Sequence, residues 1–68
     1  MAYQVVFHRN GYEVESLYWA GPLEETRQLA RQLALKLDAD LFRIVDISGG
    51  GAEVFSEQRP FGDTRSDN

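Results

Sequence analysis

Asn10-Gly11 stands between two runs rich in β-branched and aromatic residues, "YQVVFH" at 3–8 and "YEVESLYW" at 12–19. Both residues tolerate the positive φ angles of a type I′ turn, and the twist of that turn matches the twist of the strands it joins. A two-residue turn leaves the chain little freedom. It predicts a hairpin in which Arg9 pairs with Tyr12, His8 with Glu13, Phe7 with Val14, Val5 with Ser16 and Tyr3 with Tyr18. Side chains alternate between the two faces of a strand. One face then carries Tyr3, Val5, Phe7, Val14 and Tyr18, and is the expected core face. The other carries Gln4, Val6, His8, Glu13, Glu15 and Leu17. A slip of one residue would bury the acids, which holds the register.

The segment after the hairpin, "AGPLEETRQLARQLALKLDAD", reads as a helix from Pro22 to Leu37. Proline suits a first helical position, where its missing N–H has no intrahelical partner to lose. Glu24 and Glu25 follow in the first turn, at the positive end of the helix dipole. Leu23, Thr26, Leu29, Ala30, Leu33 and Leu37 recur at three- and four-residue spacing and form the expected buried stripe. Arg27, Gln28, Arg31, Gln32 and Lys36 lie away from it, and Leu35 falls almost opposite. "LFRIVDI" (41–47) and "AEVFSE" (52–57) read as two more strands, joined by a glycine-rich loop. With a loop over Ser48–Gly51, Ile44 pairs with Phe55 and Val45 with Val54, and Phe42, Ile44 and Phe55 face the helix.

The pattern is ββαββ: an α+β fold of two layers, one helix on a four-stranded, mainly antiparallel sheet. The helix returns the chain so that the third strand can pair antiparallel with the first, which favours the strand order 2-1-3-4. Residues 1–57 form the expected domain. "QRPFGDTRSDN" has no periodicity and reads as a disordered tail over 58–68, with Phe61 its one candidate anchor.

A chain of 68 residues buries only about 60% of its unfolded surface, so a monomer has little stability to spare. It has no cysteine and hence no disulfide or thiolate zinc site to compensate. Self-association is therefore an expected recourse. The net charge of −4 runs against nucleic-acid binding, which draws on a basic field, and against anionic membranes. No apolar run approaches the ~20 residues that span a bilayer, and "MAYQVVFHRN" lacks the regions of a signal peptide. The expected location is the cytoplasm.

Three glycines in "DISGGGAEVF" (46–55) raise the question of phosphate binding. Phosphate loops lead from a strand into a helix, whereas this one leads into the strand pattern "AEVFSE", with neither GxGxxG nor GxxxxGK present. A hairpin loop accounts for it. His8, the only histidine, faces Glu13 but lacks the further groups that a metal site or a catalytic triad needs. Glu24/Glu25 and Asp38/Asp40 are explained by helix ends. No cofactor, no metal and no enzymatic activity are expected.

The uncovered sheet face carries the functional reading. In a four-stranded layer with one helix that face should be polar, yet Val6, Leu17, Trp19, Val45 and Val54 are predicted on it, rimmed by Gln4, Glu13, Glu15 and Arg43. A contiguous apolar patch with a charged rim marks a protein contact, with Trp19 as its natural anchor. The alternative placement folds Trp19 over the helix start.

Residues 3–56, with the NG turn and the "EE…A" helix start, resemble small uncharacterised bacterial domains built as hairpin, helix, hairpin. The first half is also similar to the N-terminal fold of HicB-type antitoxins, in which a hairpin precedes a helix opening with "EEA"; here the run is "PLEETRQLA". That resemblance implies a regulatory module that blocks a partner's active site. The leading expectation is a protein-binding module that forms a homodimer through the open face. An antitoxin-like regulator ranks second and single-stranded nucleic-acid binding third.

Overall fold

Hairpin, helix and hairpin follow one another as β1 (Ala2–Arg9), β2 (Tyr12–Ala20), α1 (Leu23–Lys36), β3 (Leu41–Asp46) and β4 (Ala52–Gln58). The structure is a computed structural model, and it describes residues 2–61. The four strands form one sheet in the order β2-β1-β3-β4, every neighbouring pair antiparallel. This is the α+β fold, ββαββ in two layers, that the sequence pattern predicts.

Asn10 (φ 55°) and Gly11 (φ 83°) make the tight turn, and Arg9–Tyr12 and His8–Glu13 pair as expected. Beyond them the register departs from expectation. A β-bulge opposite Phe7 and His8 leaves Val14 as the extra residue, so Phe7 pairs with Glu15, Val5 with Leu17 and Tyr3 with Trp19. A one-residue offset turns over every later side chain. Leu17 and Trp19 therefore move to the helix side, and Ser16 and Tyr18 to the open side. The bulge has a plain physical reason. An unbroken ladder would put Val14, Ser16 and Tyr18 towards the helix, whereas the bulge places Val14, Leu17 and Trp19 there. Val14 and Leu17 do pack against the buried core.

Because the bulge absorbs one residue, deletion of Glu15 should be tolerated. Val14 can then step into the place opposite Phe7 with Val5–Leu17 and Tyr3–Trp19 unchanged. The expected result is a folded protein with the wild-type circular dichroism spectrum and Trp19 emission. Loss of a cooperative unfolding transition in this variant would contradict the assignment.

The second hairpin bulges as well. Ile44 pairs with Phe55 as expected, but Val54 is bypassed, so Val45 pairs with Glu53 and Asp46 with Ala52. The expected Val45–Val54 pairing is thereby corrected. Without the bulge Glu53 would face Asp46, two like charges across a ladder. With it Glu53 lies 3.5 Å from the Arg43 guanidinium.

Helix α1 starts one residue later and ends one earlier than predicted. Pro22 is its N-cap, extended at ψ 152°, and Leu37 its C-cap. The middle of the buried face is made of small residues, Thr26, Ala30 and Ala34, so the helix lies close on the sheet. Ala34 was not in the predicted stripe. Thr26, the one buried polar residue among those described, donates its hydroxyl to the Pro22 carbonyl at 2.9 Å. The arginines expected on the outer surface lie over β4 instead. Arg27 sits 4.4 Å from the Phe55 ring centroid, and Arg31 pairs with Glu57 at 2.8 Å.

Between α1 and the sheet lie Val5, Phe7, Phe42 and Ile44, all fully buried, with Ala39 closing one end. Phe42 is the hub. Its ring centroid is 6.5 Å from that of Phe7, 5.9 Å from Phe55 and 5.4 Å from Phe61.

The packed structure continues past residue 57. Gln58 completes β4, the Arg59 amide donates to the Asp40 carbonyl, and Arg59 reaches the Asp38 carboxylate and the Ala39 carbonyl. Phe61 packs on the core. The remainder of the expected tail, 62–68, lies outside the described residues.

Candidate functional site

The strand pairing separates the five residues expected to form one face. Val6 and Val45 do lie on the open side of the sheet, since Val6 pairs with Ser16 and Arg43 and Val45 with Gln4 and Glu53. Val6 is only 5% exposed, although no helix covers that side. Leu17 and Trp19 are on the opposite side, for the reason given by the first bulge. Val54 is the bypassed residue of the second. An apolar patch built from all five does not exist.

What occupies the open side is largely polar. The Arg43 Nε donates to His8 Nε2 at 3.3 Å, and its Nη1 reaches Glu53 Oε1 at 3.5 Å. Arg43 thus spans three strands, from β1 to β4. His8 faces Glu13 in the ladder as predicted, but its ring nitrogen is an acceptor for Arg43. Among the described residues no group of acidic and histidine side chains is arranged to hold a metal ion, and no pocket opens in the surface.

The glycine loop is internally satisfied. Asp46 caps a short turn of 3₁₀ helix over Ile47–Gly49, its Oδ1 accepting from the amides of Ser48 (3.1 Å) and Gly49 (3.0 Å) and from the Ser48 hydroxyl (2.8 Å). The Gly51 amide donates to the Asp46 carbonyl at 2.9 Å. Gly50 and Gly51 both take positive φ, which explains their residue type. The amides of Ser48, Gly49 and Gly51 are thus already bound to the Asp46 carboxylate or carbonyl. Gly49 is needed for a different reason: a Cβ there would come within 2.8 Å of the Asp46 carboxylate.

Three of the four acids in the pairs Glu24/Glu25 and Asp38/Asp40 have structural partners. Glu24 holds Arg27 at 3.0 Å. Asp38 holds Arg59, and Asp40 accepts from the Asn10 amide at 2.9 Å. Each of four arginines, Arg27, Arg31, Arg43 and Arg59, is paired with a carboxylate, and Arg9 donates to the Leu37 carbonyl. A cation already paired with a carboxylate offers little to a phosphate backbone.

The feature that remains is an edge. β2 and β4 are the two outer strands, and among the described residues no further strand pairs with the outer side of either. β4 is protected by its bulge and by Glu53 and Glu57. β2 is protected only at its first half, by Glu13, Glu15 and the bulge at Val14. Its second half, "SLYWA" (16–20), carries no charge and runs in unbroken register with β1 from Val6–Ser16 to Ala2–Ala20. Tyr18 is 70% exposed on the open side of this segment, and Trp19 is 36% exposed on the helix side.

No family model, curated protein or solved structure matches this chain.

Trp19 is held against the start of the helix. A Cβ on Gly21 would come 3.2 Å from the Trp19 indole nitrogen and 3.0 Å from the Glu25 carboxylate, tight contacts that place both side chains against this turn. Sequence reasoning had Trp19 as an anchor on the sheet face, with the helix-start position as the alternative, and the structure adopts the alternative. Tyr18 was missed because the unbulged register assigned it to the core. No helix among the described residues is long and apolar enough to cross a membrane.

Proposed function

We propose that this chain is a small protein-binding module whose contact surface is the uncharged half of edge strand β2, with Tyr18 and Trp19 on its two sides. The observation that carries this reading is the exposure of both aromatics on a strand whose outer backbone has no partner in the sheet. A free edge can add a further strand through main-chain hydrogen bonds, and tyrosine and tryptophan are the side chains that most often anchor protein contacts. The partner is a protein presenting an extended segment. The pairing of the arginines with carboxylates favours this over nucleic acid.

The test is affinity capture with the wild-type chain and with Tyr18→Glu. Tyr12→Glu serves as control, because Tyr12 is 75% exposed on the same strand but lies before the bulge. The reading expects proteins, further copies of the chain included, that are retained by wild type and control and lost with Tyr18→Glu. Equal retention by all three would overturn it.

A further inference from the structure

Resting on that edge-binding reading, we infer that the strand which completes β2 is the β2 of a second copy, paired antiparallel about a two-fold axis at Tyr18. The two chains then share a continuous eight-stranded sheet with both helices on one side.

Symmetry and charge select this register. Two identical antiparallel edges are related by a two-fold axis perpendicular to the sheet, which keeps each side chain on its own face. Facing residues must therefore have numbers of the same parity. About Tyr18, Leu17 faces the partner's Trp19 on the helix side, twice by symmetry. Ser16 faces the partner's Ala20, and Tyr18 faces itself, both on the open side. Glu15 and the partner's Gly21 fall beyond the end of this ladder, so within Ser16–Ala20 no carboxylate is set against an apolar residue or another carboxylate.

Neighbouring registers lose this match. Centred on Leu17 the ladder places Glu15 opposite Trp19, and centred on Ser16 it places Glu15 opposite Leu17. Centred on Trp19 it brings Pro22 opposite Ser16, where proline has no N–H for the ladder. The uncharged run of five residues, about 17 Å of strand, is just the length that the Tyr18-centred pairing uses. β4 offers no equivalent, because it is interrupted by the bulge at Val54 and carries Glu53 and Glu57. Aromatic and aliphatic cross-strand pairs of this kind stabilise a ladder, and like charges directly opposite destabilise it.

The experiment measures mass in solution by sedimentation across the micromolar to millimolar range, with circular dichroism to confirm that each variant is folded. Wild type is expected to reach twice the chain mass of 7.7 kDa. Tyr18→Glu puts two carboxylates face to face on the axis and should weaken the dimer by roughly tenfold or more. Tyr12→Glu should leave it unchanged. Mixing Tyr18→Glu with Tyr18→Lys should restore it, since only an on-axis residue meets its own counterpart.

The chain has no cysteine, so single cysteines report the register directly. Tyr18→Cys should cross-link to itself under mild oxidation. Ser16→Cys should cross-link to Ala20→Cys and not to itself. A monomer at every concentration, a dimer indifferent to Tyr18→Glu, or self-linking of Ser16→Cys would each overturn the inference. A monomer that still captures another protein in a Tyr18-dependent way would overturn self-pairing alone. Capture and mass both indifferent to Tyr18 would overturn the edge-binding reading as well.

Discussion

Phe42→Ala is expected to leave much of the protein unfolded at room temperature. The Phe42 side chain is fully buried and is the one ring in contact with Phe7, Phe55 and Phe61 together. It joins the first hairpin, the second hairpin and the segment after β4. Removing a buried phenylalanine costs about 3–5 kcal/mol, the transfer free energy plus that of the cavity left behind. A domain of this size has a total stability of about 3–10 kcal/mol. Phe42→Leu keeps most of the volume and should cost about 1.5 kcal/mol or less. Urea unfolding followed by circular dichroism separates the two. A Phe42→Ala protein within about 1 kcal/mol of wild type would mean that the cluster is not the centre of the core.

Two adjacent helix positions should give opposite results. Ala34 is fully buried on the helix face that meets the sheet, whereas Leu35 is 62% exposed. Ala34→Glu drives a carboxylate and its longer side chain into a closely packed layer, at a cost of several kcal/mol for the uncompensated charge. This variant is expected not to fold. Leu35→Glu changes a solvent-facing position and should stay within about 0.5 kcal/mol of wild type. Thermal unfolding of the pair is the check. Similar transitions for the two variants would contradict the orientation of α1.

Neither effect would be assigned correctly from hydrophobicity alone. Leucines at three- and four-residue spacing announce the buried side of α1, but the residues at its centre are Thr26, Ala30 and Ala34. Close approach of a helix to a sheet selects small side chains there, with leucines flanking them. Periodicity gives the direction of the face and leaves its closest point of contact to packing. Arg27 and Arg31 show the same limit. They look like a solvated face in sequence, and only the position of β4 gives them Phe55 and Glu57 to pack on and pair with.

The candidate site depends on a single residue of offset. "VESLYW" carried a faint sign of it: Val14 and Leu17 are three apart, a spacing that shares one face of a strand only if a residue between them is bypassed. Strict alternation put Leu17 and Trp19 on the open face and Tyr18 in the core, and the bulge reversed all three. A bulge is chosen by the helix and sheet together, since its gain is the packing of Leu17 on the core and of Trp19 at the helix start. That gain does not exist until α1 is in place.

Local chemistry by itself determined the turn at Asn10-Gly11, the existence of the four strands and the helix, and the exposure of Leu35, and it favoured the antiparallel order β2-β1-β3-β4. Each follows from the backbone preferences of neighbouring residues, or from the direction in which a short connection can return the chain. Tertiary structure alone decided the two bulges, the attachment of Arg59 to the fold, and the presentation of Tyr18 on the outer edge of β2. These depend on which side chains meet across the sheet and beneath the helix, and residues distant in sequence acquire that relation only when the layers close.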